Sequence, residues 1–155
     1  MNTIFNSIRS RNLGDVKDLL DEDGSLVNAK DQRGSTPLLL CTYYGFMDIA
    51  EVLLSYGANV NEQDESGNTA LMGVSFKGFF DVAEFLLSNG ADPNIKNYNE
   101  STALIFAASF GQKEIIKLLI KNGADIHIKD NRGYTAEMHA KNQGLDITEL
   151  FNFVE

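Results

Sequence analysis

Short stripes of apolar residues recur along the chain with helical spacing. Ile49, Val52 and Leu53 stand at positions i, i+3 and i+4, which lie on one face of an α-helix. The same positions are apolar again in the next two units, which hold Val82, Phe85 and Leu86, then Ile115, Leu118 and Leu119. Helices this short are unstable alone in water. The pattern therefore predicts short helices that bury their apolar faces against one another.

Residues that start and stop helices recur with one common step. Thr36 suits a helix N-cap, and Pro37 suits the first helical position. We predict a first helix, helix A, over about 36–44 that ends at Gly45, and a second, helix B, that starts near Asp48 and stops before Gly57. Three sets of residues recur with the same spacing: Thr36, Thr69, Thr102 and Thr135; Gly45, Gly78, Gly111 and Gly144; and Gly57, Gly90 and Gly123. A period of roughly 33 residues is typical of repeat proteins built from stacked helix pairs.

These units resemble the ankyrin repeat. The family pattern opens approximately as Asp-x-x-Gly-x-Thr-Pro-Leu-His, continues through two short helices and closes with Gly-Ala-Asp-Val-Asn. Asp31, Gly34 and Leu38 match the opening here, and Gly57 and Asn61 match the close. The resemblance covers about 31–150, whereas 1–30 keep only the second half of the pattern.

The resemblance implies an all-α fold, an ankyrin-repeat solenoid of helix-turn-helix units with hairpin-like loops on one side. We predict one domain over 1–155 with about five repeats, two of which are caps. The predicted division is a cap at 1–30, complete repeats at 31–63, 64–96 and 97–129, and a cap at 130–155.

The chain departs from the family pattern at two kinds of position. The histidine that the family pattern has after Pro-Leu is absent. In the first complete repeat, Leu39 stands at that position. In the third repeat Glu100 stands where the loop glycine ordinarily supplies a positive φ. Either Glu100 is held at positive φ, or Asn99 takes up the left-handed turn.

The last repeat has the sequence of a polar end cap. Glu137 replaces an apolar core residue and Lys141 replaces a small one, as solubility of an end repeat requires. Ile147, Leu150 and Phe151 still provide an inward apolar stripe.

Composition and charge narrow the class of protein. Hydrophobic residues are 43% of 155, as in globular chains, and no apolar run of about 18 residues is present to span a membrane. The start lacks the pattern of a signal peptide. The net charge of −9 repels phosphate backbones, so we expect no nucleic acid among its partners. Because no spanning segment is present, we also expect no membrane among them. This charge suits a basic partner protein, or it only keeps the chain soluble.

The sequence offers no catalytic, metal or cofactor site. His127 and His139 lie in different elements, and no cysteine or further histidine stands at metal-ligand spacing. The recurring glycines precede no predicted strand, which argues against phosphate loops. Cys41 is the only cysteine, and we expect it to be a small buried residue in a reducing compartment. We therefore expect a cytoplasmic protein that is not an enzyme, with secretion without a signal peptide left open.

Aromatic residues at the end of helix A are the main candidates for a binding surface. In the family this part of helix A faces the concave groove and varies freely. The candidates are Tyr43, Tyr44, Phe76, Lys77 and Phe110 in the groove, with Arg33, Glu65, Tyr98 and Arg132 at the loop tips. Exposed apolar area of this kind often marks an interaction site. The alternative is that these rings pack on one another and complete the core.

The resemblance implies a module that binds a partner protein through the concave groove and the loop tips. An alternative function is a small acidic inhibitor or immunity-type protein that masks a basic toxin or enzyme. In either case we expect a monomer.

Overall fold

The computed structural model describes residues 3–146 and 150–151. Nine α-helices and no β-strand lie within these residues. The helices come as pairs, each with a first helix that corresponds to helix A and a second that corresponds to helix B. The pairs are α1 (Ile4–Arg9) with α2 (Leu13–Glu22), α3 (Pro37–Tyr43) with α4 (Met47–Ser55), α5 (Ala70–Lys77) with α6 (Phe80–Ser88), and α7 (Ala103–Ser109) with α8 (Lys113–Lys121). The next helix is α9 (Ala136–Asn142).

A threonine side chain caps the start of every first helix. The Thr36 hydroxyl accepts a hydrogen bond from the backbone N–H of Leu39, which otherwise has no partner at a helix start. The same bond is made by Thr69, Thr102 and Thr135, and also by Thr3. The sequence pattern predicts only the second half of a repeat unit over 1–30. This prediction is incomplete, because the first helix of the unit, α1, is also present. Thr3 lies one repeat length before Thr36 and caps α1.

The first helices form a row in which α3 packs between α1 and α5, and α7 packs between α5 and α9. Small side chains allow this close approach, as the sequence pattern predicts. The four residues of this slot are fully buried: Cys41, Val74, Ala107 and Ala140. Burial raises the pKa of the Cys41 thiol, so the reactive thiolate is scarce at neutral pH.

The second helices bury a wider face than the apolar stripe predicts. In α4, Ile49 and Leu53 are fully buried as expected, but Val52 is only half-buried and Ala50 completes the buried face. The reason is that α4 contacts both its own first helix, α3, and the preceding second helix, α2. One stripe of three residues cannot cover two such contacts.

Asparagine side chains join neighbouring units beside the ends of the second helices. In each case the side-chain oxygen of one asparagine accepts a hydrogen bond from a backbone N–H of the next unit. The backbone N–H of Asn59 donates to Asn28 at 3.0 Å, that of Asp92 to Asn61 at 2.8 Å and that of Asp125 to Asn94 at 2.7 Å. The accepting asparagines stand one repeat length apart, so each bond repeats the one before it.

The last unit shows the predicted polar face. Glu137 and Lys141 are exposed, whereas Leu150 and Phe151 are buried. Ile147, the third member of the predicted inward stripe, lies outside the described residues.

The loop of the third repeat keeps its turn without a glycine. Glu100 has a φ of 62°, close to the φ of 74° at Gly34 and of 80° at Gly67. Asn97 holds this loop, because its side-chain oxygen accepts hydrogen bonds from the N–H groups of Asn99 and Ser101, each at 2.9 Å. The first of the two expectations, a strained Glu100, is therefore confirmed.

Replacing Glu100 with glycine should stabilise the chain. A residue with a Cβ loses roughly 1–2 kcal/mol in the left-handed region, and the added freedom of glycine in the unfolded chain offsets part of the gain. We expect the free energy of unfolding of Glu100→Gly to rise by up to about 1 kcal/mol in urea titrations. Asn99→Gly is the matched control. It should lower the free energy of unfolding, because Asn99 does not have a positive φ and the glycine would only add freedom to the unfolded chain.

Truncation of the buried face should cost far more than truncation of the outer face. Leu86 is fully buried, so Leu86→Ala should lower the free energy of unfolding by roughly 2–5 kcal/mol. Glu51 is exposed on α4, and Glu51→Ala should change it by no more than about 0.5 kcal/mol. Equal effects of the two substitutions in thermal melts would contradict the assigned helix faces.

Candidate functional site

A groove of about 1310 Å³ runs along the inner side of the first helices. Leu40 and Gly73 lie in its floor, and the loops at 31–35 and 64–66 form one wall. The other end is closed by aromatic rings from three successive helix pairs. These rings belong to Tyr43, Tyr44, Phe76, Phe106 and Phe110.

Three of these five rings are about half exposed to solvent. The exposed fraction is 43% for Tyr43, 46% for Tyr44 and 52% for Phe110. Phe76 is half-buried and meets Phe110 edge-on, with 4.5 Å between the ring centroids. The rings therefore do pack on one another, but this packing leaves nearly half of each outer ring uncovered.

Gly73 lies beside the ring of Tyr43. A Cβ placed on Gly73 would lie 3.6 Å from Cδ1 of Tyr43, so the ring covers the dent that the missing side chain leaves in α5. A glycine inside a helix costs about 1 kcal/mol relative to alanine. At 3.6 Å the contact would be an ordinary van der Waals one, so an alanine at this position would fit beside the ring.

Two cations lie over aromatic rings in this region, and one of these rings is Tyr43. Nζ of Lys77 is 4.9 Å from the ring centroid of Tyr43 and 5.8 Å from that of Phe79. The guanidinium of Arg11 lies 4.7 Å from the ring centroid of Phe46. Both arrangements have the geometry of cation–π contacts.

We call this surface the aromatic edge. It lies where the first helix of each pair ends and the second begins. Its members are Tyr43, Tyr44, Phe46, Phe76, Phe79 and Phe110, with the cations Arg11 and Lys77. The sequence prediction missed Phe46, Phe79 and Arg11. Phe46 and Phe79 stand one repeat length apart and each directly follows a helix-ending glycine, which is a signal that could have found them.

The predicted loop-tip residues are exposed, but they do not form one cluster with the rings. Arg33 and Glu65 line the groove, on the wall opposite the aromatic edge. Tyr98, which is 71% exposed, and Arg132 lie further along the row of loops and do not line it. Neighbouring tips are joined through the backbone, because the N–H of Glu65 donates to the carbonyl of Arg33 at 3.2 Å.

Comparison with known families identifies the repeat. A family model described as ankyrin repeats in three copies matches residues 5–97 and again residues 74–152. The chain belongs to the ankyrin repeat family. No curated protein matches it.

Ankyrin repeats are generally protein–protein interaction modules and are typically not enzymes. In the part of this ankyrin chain that the structure describes, no group of three or more His, Cys, Asp or Glu side chains could hold a metal ion. None of the described helices is long and apolar enough to cross a membrane.

A histidine and an aspartate are paired in the last ankyrin repeat. Nε2 of His139 lies 2.8 Å from Oδ2 of Asp130, and the ring of Tyr134 meets the imidazole edge-on. Partial burial raises the pKa of Asp130, but hydrogen bonds from His139 and from the N–H groups of Tyr134 and Arg132 lower it below its ordinary value. The ionised carboxylate therefore stabilises this loop at neutral pH, and the contribution is lost as the pH falls below about 4.

Proposed function

We propose that this ankyrin repeat chain binds a partner protein through its concave groove, with contacts from the loop tips. The observation that supports this most directly is the exposure of Tyr43, Tyr44 and Phe110, whose rings meet solvent at the end of the groove. Removing apolar area from water is favourable, so a partner that covers these rings gains free energy of binding. Aromatic residues are enriched in the buried centres of protein interfaces.

The arrangement around the rings also suits an interface. Arg33 and Glu65 provide charged groups at the opposite wall, where a polar rim would surround the buried centre. The backbone of the groove is fixed by the capped first helices and by the bonded loop tips, so little ordering would be needed on binding. The proposed partner contacts are Tyr43, Tyr44, Phe76, Lys77 and Phe110, together with Arg33, Glu65, Tyr98 and Arg132.

We also propose that the chain acts as a monomeric, single domain with a cap at 1–30, repeats at 31–63, 64–96 and 97–129, and a cap at 130–155. The exposed Glu137 and Lys141 support this, because a charged end face opposes end-to-end stacking of two solenoids. The single, buried Cys41 fits a reducing compartment, and the cytoplasm is the compartment we propose.

A second candidate function is the masking of a basic protein by an acidic inhibitor. The outer faces of α4 and α6 support it. The segments of α4 and α6 contain no lysine or arginine, and their acidic residues are Asp48, Glu51, Asp81 and Glu84. Such a face would attract a basic surface over a distance and would accelerate association.

Truncation of the exposed rings should abolish capture of the partner. We expect the Tyr43→Ala, Phe110→Ala double variant to lose the protein that the wild-type chain captures from a lysate of its native organism, because central rings can each contribute about 2 kcal/mol or more. Met138→Ala is the control, since Met138 is 47% exposed but does not line the groove. Quantitative mass spectrometry of the captured proteins measures the effect. Capture of the same protein by all three chains would contradict the proposal.

Neutralising the outer acidic face tests the second candidate. If this face masks a basic protein, Glu51→Gln with Glu84→Gln should slow association with the captured partner and weaken its dependence on salt. Glu114→Gln with Glu137→Gln removes the same charge from other exposed sites and should have a smaller effect. Stopped-flow association rates at several salt concentrations measure it. Equal effects of the two pairs would mean that only the net charge acts.

A further inference from the structure

The aromatic edge holds two cations, although the chain as a whole is acidic. The net charge of the chain is −9, yet the cations Arg11 and Lys77 lie directly on the rings of this surface. Among the acidic residues of α4 and α6, Asp48 pairs with Arg11 at this edge, whereas Glu51, Asp81 and Glu84 are exposed elsewhere on the second helices. A partner at the edge therefore meets a different charge from a partner at the outer face.

Lys77 is the unpaired cation of this edge. It is exposed, and its ammonium faces the rings of Tyr43 and Phe79. Among the described residues, no carboxylate lies within ion-pair distance of it. Both rings leave the solvent side of the ammonium open. This side is available to an anionic group that arrives with a ligand.

Arg11 is held in a strained backbone at the other end of the edge. Its φ is 52°, a conformation that a residue with a Cβ seldom adopts. Its guanidinium lies over Phe46 and pairs with Asp48 at 3.5 Å, where both side chains are about half exposed. An exposed pair of this kind contributes little, so a carboxylate from a ligand could compete for the same guanidinium.

We propose that the aromatic edge binds an acidic segment of the partner protein, in which aspartate or glutamate residues flank aromatic or aliphatic side chains. The inference rests on the proposed function, since it specifies the ligand of the rings at the end of that groove. Lys77 and Arg11 belong to the aromatic edge but do not line the groove. The apolar side chains cover Tyr43, Tyr44 and Phe110, and the carboxylates pair with Lys77 and Arg11. A basic segment would instead bring like charges to Lys77 while removing it from water, which disfavours binding.

A selection from random peptides tests this without knowledge of the partner. The full chain is immobilised, and a phage-displayed library of random dodecapeptides is selected against it. We expect enriched peptides to combine acidic with aromatic or aliphatic residues, and we expect Lys77→Glu to weaken their binding by about tenfold or more. Lys121→Glu is the matched control, because Lys121 is exposed at the end of α8 and makes no contact with the edge. Circular dichroism melts confirm that each variant is folded.

The outcomes separate this inference from the proposed function. Enriched peptides that are neutral or basic, but whose binding depends on Tyr43 and Phe110, would contradict the inference of an acidic ligand. The proposal that the groove is a binding site would then still hold. Peptides that bind equally to the Tyr43→Ala, Phe110→Ala variant would overturn both. Arg11→Gln provides a second charge variant, and an unchanged affinity in both Lys77→Glu and Arg11→Gln would overturn the inference.

The same variants distinguish an acidic segment from two other candidate occupants of the edge. Binding to phosphatidylserine vesicles that Lys77→Glu abolishes, with no peptide enriched, would show a membrane surface in place of a protein segment. Self-association in analytical ultracentrifugation that Lys77→Glu abolishes would show a second copy of this chain, whose own outer acidic face would be the ligand. Either result would overturn the proposal.

Discussion

The structure depends on one constraint: its helices are too short to be stable without neighbours. The first helices α3, α5 and α7 have seven or eight residues, about two turns, and such helices do not form alone in water. Each must therefore bury its apolar face against the helices before and after it. This explains why Cys41, Val74 and Ala107 are small, since a larger side chain in this slot would separate the first helices and remove the contact that stabilises both.

The same constraint divides each repeat into positions that packing determines and positions that it leaves free. Residues such as Leu38 and Leu71 face the neighbouring helices and are fully buried. The end of the first helix is less constrained by stacking, and there the chain carries exposed rings and Lys77. In the turn that follows, Phe46 and Phe79 are partly buried against the core. Because this turn recurs in every unit at the same edge of the solenoid, side chains distant in sequence form one continuous surface. Function can change at this edge while the core remains the same.

Much of the fold could be predicted from the sequence because its signals are local. The threonine caps act over three residues, and the loop that holds Glu100 at positive φ is closed by Asn97 within four. The features that the sequence pattern did not predict depend on contacts between units. Ala50 completes a buried face only because α2 and α3 both contact α4, and no stripe within α4 shows this. Likewise, Lys77 meets the ring of Tyr43, which belongs to the preceding helix pair, so helical periodicity gives no sign of the contact.

The asparagine bonds between units have a consequence for how such a chain can evolve. The side-chain oxygens of Asn28, Asn61 and Asn94 each accept from the unit that follows, and every bond has the same donor and acceptor positions. A gene segment that encodes one unit could therefore be duplicated or deleted in frame, and the new junction would form the same bond. The solenoid would gain or lose length while its cross-section stayed constant. Recognition of longer or shorter partners could arise by copying, without any new packing solution.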